Sequence, residues 1–442
     1  MFEELRLEQL VSRIKQSFSQ FCDVRQGKNI QYDMVDAGMG AFSVFFTQSP
    51  SFLSSQQDMK RRKGQCNAES LFGMDQVPSD NQIRALLDPV APSNLAPVFR
   101  EVYHRLERAK VLNGYRSFRN NLLVVIDGTQ YFSSQKLHCE QCNTRELSNG
   151  KTNYFHSVLT PVIAQPGNAH VIALEPAYIL PQDGKEKQDC EIEAAMRSTQ
   201  SERWVEANGD FYAQQGVTIM GDDLFSRQPF IQALKDKHLN FILVCKPDSH
   251  EALYATVDFL AASGVLATYQ KRFWNGNYAE IYTYRYANQL PLRGDPETIQ
   301  VNWCELTITR EDTGEQLYKN AFCTDFRVEE TTVEAIVRDG RTRWKVENEN
   351  NNVLKTKGYH LEHNFGHGSQ HLASLLLSLN LLAFLFHTVL DLVDEKYRRI
   401  RQALRTRRKF FQHIETLLCY IQFSSWDELF TFMCKGLELN TE

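Results

Sequence analysis

Apolar residues recur every three or four positions at the start of the chain. Phe2, Leu5, Leu10, Ile14, Phe18 and Phe21 share one side of a helix. Residues 35–58 continue the helical pattern to about Ser49-Pro50, and Pro78-Ser79-Asp80 opens another helix, with Ser79 at the N-cap. The period changes near residue 120. Leu122 to Ile126 is an unbroken apolar run with three β-branched residues, the pattern of a strand covered on both faces. Further strands are predicted over Tyr154–Val162, His170–Leu174, Val217–Gly221 and Phe241–Cys245, with helices over about 188–214 and 226–236. Residues 257–335 are rich in Tyr, Thr, Trp and Val, with turn signals at Trp274-Asn275-Gly276-Asn277 and Arg293-Gly294-Asp295-Pro296, and read as antiparallel β structure. Helical texture returns at 341–357 and 370–395.

Leu372 to Leu390 carries no formal charge and is long enough to be weighed as a membrane span. Ser374, Ser378, Asn380 and His387 interrupt it, and a helix buried in a large domain is also apolar all round. A core helix is therefore expected, and no membrane partner. The predicted fold class is α/β, a mixed sheet flanked by helices. Residues 1–115 form an N-terminal helical domain, 116–256 with 336–395 the sheet domain, 257–335 a β insertion, and 396–442 a basic helical tail.

The chain has 442 residues, 42% hydrophobic and 23% charged, with net charge −5. That balance is ordinary for a globular protein and does not by itself announce a nucleic-acid partner. Local charge does: Lys60-Arg61-Arg62-Lys63 and the stretch Lys396–Lys409 are dense in cations suited to a phosphate backbone. Ten cysteines are scattered, and only Cys139 and Cys142 are close, which fits a reducing compartment. No positive segment followed by an apolar core opens the chain, so a cytoplasmic protein is expected.

Candidate chemistry centres on three acids. Asp127 follows the first buried strand, Asp222 a later one, and Glu347 lies in the helical stretch Arg341–Asn350. Two carboxylates at adjacent strand tips would repel unless a cation lay between them, and all-oxygen ligands suit Mg²⁺ or Mn²⁺. Such ions activate a hydroxyl nucleophile and stabilise the leaving oxygen in phosphoryl displacement. Asp223 is the rival of Asp222, and Glu349 the rival of Glu347. Asp222 is preferred because it directly follows the strand and Gly221; Glu347 is preferred by its distance from Trp344.

Asp127-Gly128-Thr129 after a buried strand, Asp222 after a second, and Arg343-Trp344-Lys345-Val346-Glu347 after a β insertion resemble the DDE transposases of the cut-and-paste insertion-sequence type. The resemblance covers roughly 78–395, and Trp344–Gly368 is its most specific part. It implies a ribonuclease-H-like catalytic domain, Asp127, Asp222 and Glu347 as the catalytic Mg²⁺ ligands, and a homodimer on DNA. It also implies cleavage at terminal inverted repeats, strand transfer to target DNA, and a place with the prokaryotic nucleoid. The family spacing around the Glu is met by Arg343 but not throughout. Gly340 stands at its Tyr position and Leu354 at its Lys position, with Lys355 one step later. A stand-alone metal-dependent nuclease and a degenerate DNA-binding relative are the alternatives.

Lys246, Arg343 and Lys355 are the expected phosphate contacts, and Trp274 a candidate stacking platform for an extruded base. Cys139, Cys142 and His156 form a candidate zinc site, with His138, or Cys190 at a distance, as the fourth ligand. His360, His363 and His367 lie among Gly358, Gly366 and Gly368 and read as donors to carbonyls or DNA in a tight turn.

Overall fold

The structure is a computed structural model describing residues 2–26, 30–55, 67–181 and 190–439. Every residue of β1 (Leu122–Val125) is buried, as its apolar run requires. Its edges are satisfied on both sides. β5 (Val162–Ala164) runs antiparallel to it, and β8 (Val217–Gly221) runs parallel. A parallel neighbour needs a crossover connection, and the Cys190–Ala213 helix lies within the one between them. β9 (Asn240–Val244) repeats the arrangement on β8, through the Gln228–Asp236 helix. β6 (Ile172–Ala173) pairs with β5 and ends that side. A mixed sheet flanked by helices is what the alternating pattern predicts.

The 257–335 region departs from the picture of a separate insertion. A helix, Glu251–Ala262, spans the expected boundary at 257. The strands β10 (Ala267–Trp274), β11 (Ala279–Pro291), β12 (Gln300–Arg310) and β13 (Gln316–Thr324) form a meander whose last strand pairs with β9, Cys323 opposite Leu243. One nine-stranded sheet results, ordered β10-β11-β12-β13-β9-β8-β1-β5-β6. The pairing covers an edge of β9 that would otherwise leave backbone groups open.

A second sheet was not expected. β2 (Gly128–Ser134) starts immediately after Asp127 and pairs with β4 (Thr152–Leu159), which also carries β3 (Asn143–Glu146) and β7 (Ala177–Ile179). The strand predicted over Tyr154–Val162 is two strands in two sheets. They break at Thr160-Pro161, where proline has no N–H to give to a ladder.

The Leu372–Val393 helix is almost wholly buried in the fold. It packs on the apolar Met34–Thr47 helix, where Phe42 meets Phe386 edge-on at 5.5 Å and Phe46 stacks on His387 at 4.2 Å. Ser79 caps the Asp80–Leu87 helix, accepting from Gln82 N–H. The C-terminal helices fold back onto the same core. Trp426 meets Phe46 at 5.1 Å, and Asn67 Nδ2 donates to the carbonyls of Leu418 and Ile421.

Candidate functional site

The two aspartates follow neighbouring strands. Val125 of β1 lies opposite Met220 of β8, the last paired positions. Asp127 and Asp222 come two residues later, beyond the ends of both strands. Both are half-buried. Asp222 accepts from Leu224 N–H at 3.0 Å, a local turn bond. Gly221 before it is held close to the Phe225 ring, where a Cβ would come within 2.6 Å of a ring carbon. Asp223, its rival, is buried and committed to structure. It accepts from Lys246 N–H at 2.7 Å and from the Ser249 hydroxyl, tying the end of β8 to the end of β9.

Glu347 lies in a π-helical turn, Val346–Asn351, a wide turn frequent at functional sites. Four residues on, Asn351 Nδ2 donates to Asp127 Oδ2 at 2.9 Å, so this helix docks on the tip of β1. Thr160 Oγ1 and Asn350 Nδ2 both donate to Asn351 Oδ1, at 3.0 and 3.1 Å, and fix which way the amide faces. The Glu347 carboxylate is turned to Arg343 at 2.6 Å. Glu349 lines a different groove, with Arg341, Trp344 and Lys345.

The family-pattern departures have physical causes. Gly340 is packed against Phe322, where even a Cβ would fall 2.8 Å from the ring, so a tyrosine has no room. Leu354 is fully buried. Its neighbour Lys355 faces outward and pairs with Glu362 at 2.9 Å. Lys246 is exposed. Trp274, at the end of β10, is 58% exposed rather than packed on its own hairpin. Lys60, Arg61, Arg62 and Lys63 lie outside the described residues.

A second donor set is already assembled. Cys139 and Cys142 precede β3, His156 is on β4, and His367 comes from the loop before the Leu372–Val393 helix; their ligand atoms all lie within 4.8 Å of one another. Among the described residues no other group of three or more His, Cys, Asp or Glu meets that closeness, the three acids above included. Ligands at tetrahedral corners, with metal bonds of about 2.3 Å to sulfur and about 2.05 Å to nitrogen, stand about 3.8 Å (S–S), 3.6 Å (S–N) and 3.3 Å (N–N) apart. The two Sγ atoms are 3.8 Å apart, Cys139 Sγ and His156 Nε2 3.6 Å, and Cys142 Sγ is 3.4 Å from both His156 and His367 Nε2. The two Nε2 atoms are 3.1 Å apart. The cluster can hold a metal ion.

His367, not His138, completes the cluster, and it also meets a turn carbonyl as the reading of that loop expected. The His138 ring stacks on Tyr154 at 4.5 Å, on the exposed side of the loop, and does not join the cluster. The Cys190 side chain lies outside the described residues. His367 Nδ1 lies 2.9 Å from Gly368 O, and donation there leaves the Nε2 lone pair toward the thiols, the usual support of a ligating imidazole. Asp88 secures the next turn, accepting from the N–H groups of Ser369 at 3.0 Å, Gln370 at 3.0 Å and Leu372 at 3.2 Å. Gly368 has φ +69° and backs onto that carboxylate, so only glycine fits. Burial pushes the Cys142 thiol up to about 11. Burial, then His367, pushes His156 down to about 4.

Sequence reasoning missed Asn351, and weighed a metal role for His367 only to set it aside. The run Asn350-Asn351-Asn352 and the His between two glycines were the available signals. No family model matches the chain, and no curated protein matches it.

Proposed function

We propose that the chain is a DDE-type DNA transposase with a ribonuclease-H-like catalytic domain. Asp127, Asp222 and Glu347 are its metal ligands, and it acts as a dimer on terminal inverted repeats in the cytoplasm. The observation that carries the reading is the parallel pairing of β1 with β8, after which Asp127 and Asp222 follow at equal distance, with the Glu347 helix fastened to Asp127 through Asn351. The donor set fits Mg²⁺ or Mn²⁺: carboxylate oxygens, half-buried and open to solvent-held ligands. Bound there, the ions would supply a hydroxyl nucleophile and charge stabilisation of the leaving oxygen.

The chain's own residues do the positioning. Asn351 holds the Asp127 carboxylate through one of its oxygens. Arg343 balances the Glu347 charge and lies where a non-bridging phosphate oxygen would arrive. In the first step water attacks the phosphorus at the element end, and the 3′-oxygen leaves as a hydroxyl. In the second, that 3′-hydroxyl attacks a target phosphodiester, displaces the target's own 3′-oxygen and gives up its proton. Lys246 and Trp274 are available for backbone contact and base stacking.

The test is incubation with DNA carrying the element's flanking repeats, with Mg²⁺ and in EDTA, followed by strand transfer from a pre-cut end. Metal-dependent cleavage and a joined product are expected, both absent in Asp127→Ala. Cleavage without joining would assign a nuclease instead. Salt-sensitive binding without cleavage would assign a binding protein.

The Cys139–Cys142–His156–His367 set holds a structural Zn²⁺ in this reading. Elemental analysis should give one zinc per chain, and Co²⁺ replacement the absorption of a tetrahedral thiolate site.

A further inference from the structure

The chain that leaves the Glu347 helix runs along a cavity of about 940 Å³. Lys357 and Gly358 form one wall and Gln48 another; Arg401, Arg405, Arg407 and Arg408 complete it from the helices Glu395–Leu404 and Arg407–Tyr420. Five cationic side chains face this space, and Glu415 is the single acid among the lining residues. One of the walls carries donors that the fold does not use. Arg401 Nε and Nη1 are buried without a hydrogen-bond partner, and the Gln48 amide has the Tyr359 hydroxyl as its neighbour. Gln48 is only 8% exposed and sits in the left-handed region at φ 56°, a conformation that costs free energy for a residue with a Cβ.

A buried guanidinium with idle N–H groups is expensive to a folded protein. The Phe410 ring, 5.3 Å from Arg401 Cζ, steadies the cation but accepts none of those bonds. A phosphate would. Its oxygens match the planar guanidinium fork, and the surrounding cations balance its charge. The lining has two aromatic rings, Phe411 and the smaller His360, against five cationic side chains, so backbone charge rather than base stacking dominates it.

We propose that this cavity is a phosphodiester-binding site that grips the DNA backbone beside the carboxylate edge. The inference rests on the DNA reading above and adds an anchoring point to it. Lys357 is ten residues beyond Glu347 along a mostly helical path, so the two are separated by roughly 15 Å. That is roughly four base-pair steps of duplex. A strand held in the cavity would therefore reach the acids within half a helical turn.

The experiment is fluorescence anisotropy on the full chain, with a labelled random-sequence duplex, in EDTA, across a KCl series. Arg405→Gln/Arg408→Gln removes two exposed charges. It should weaken binding about tenfold or more and lower the salt slope by about two. Arg401→Met should weaken binding about tenfold while leaving the melting temperature equal or higher, because an idle buried charge is gone; a structural role would lower it. Asp127→Asn/Asp222→Asn should still bind. Unchanged affinity and slope in the Arg405/Arg408 double variant overturns the proposal. So does displacement of the duplex by low-micromolar pyrophosphate or ATP, which would assign the cavity to a small anion. Arg-dependent binding with no Mg²⁺-dependent cleavage would sink the catalytic reading and leave the cavity standing. Cleavage with normally binding variants would do the reverse.

Discussion

The Cys/His cluster and the carboxylate edge are both donor sets of metal-binding type, yet one is closed and the other open. The closed set brings two thiols and two imidazoles within 4.8 Å of one another, five of the six pairs at 3.1–3.8 Å. The open set leaves Asp127 held by Asn351 and Glu347 turned to Arg343. Thiols and imidazoles are neutral when protonated appropriately, so they can be packed together before any cation arrives. Burial reinforces this, raising the Cys142 thiol and lowering His156. Carboxylates cannot be packed so, because each ionised neighbour repels the next. A closed neutral set suits a permanent structural ion. An open charged set suits ions that come with substrate.

Breaking the closed set should have the largest effect. Structural zinc contributes on the order of 10 kcal/mol of apparent binding free energy in small domains. Cys142→Ser, or a strong chelator, is expected to strip the metal and cost several kcal/mol in denaturant unfolding. Metal content and the unfolding midpoint, measured on the same samples, check this. If the midpoint stays put while the metal is lost, the cluster is not a staple. If the protein never carries metal, the closed geometry is only packing.

The open set should answer in the opposite way. Asp127→Asn or Asp222→Asn is expected to reduce strand cleavage by at least about 10³-fold, about 4 kcal/mol of barrier. The melting temperature should hold or rise, since a repulsion is removed. A large loss of stability from either substitution would make these acids structural, as Asp223 already is.

The two sets also differ in how far the chain announces them. The buried run before Asp127 and the run before Asp222 are local patterns, and their parallel pairing follows from the helix between them. Cys139-x-x-Cys142 is equally local. His367 is not. It reaches His156 across 211 positions, through a turn whose geometry depends on Asp88. The second sheet was hidden for a related reason. β2 and β3 carry Gln130, Ser133, Ser134, Thr144 and Arg145, with no clean alternation to betray a strand. The β13–β9 pairing is likewise a long-range choice that no local period encodes. Gly340 and Leu354 look like a broken family pattern in one dimension. In three dimensions Phe322 fills the space beside one, and the core encloses the other.

A smaller effect tests what holds the open set in place. Asn351→Ala removes the donor to Asp127 but no ligand. Loss of one hydrogen bond to a charged group costs about 1.5–3 kcal/mol, so kcat should fall roughly 10- to 150-fold. KM for DNA should stay level, because Asn351 makes no backbone contact in this reading. Asn351→Gln, which keeps the amide, should recover part of the rate. A fall in DNA affinity with kcat preserved would give Asn351 a different role.

The smallest effect separates burial from ligation. His387 is a fully buried imidazole outside both sets. Its Nε2 lies 2.9 Å from Phe46 O, and its Nδ1 lies 2.9 Å from the Tyr397 hydroxyl. Burial lowers its pKa from 6.5 to about 3; the Phe46 carbonyl opposes this, and Arg407 and Arg401 add to it. The unfolded chain therefore binds the extra proton between about pH 6.5 and pH 3. The stability contributed by the neutral imidazole is complete above that window and is lost as pH falls through it. At pH 5.5 the loss is about 1.3 kcal/mol relative to neutral pH. Glu175 and Asp325, whose carboxyls burial pushes upward, act in the opposite sense, so only a difference isolates the imidazole. His387→Gln should flatten the pH dependence of unfolding by that amount. The flattening should be the same with chelator present, because His387 holds no metal. A chelator-dependent difference would couple the core to the cluster and erase the distinction between a histidine that is merely buried and one that is poised to ligate.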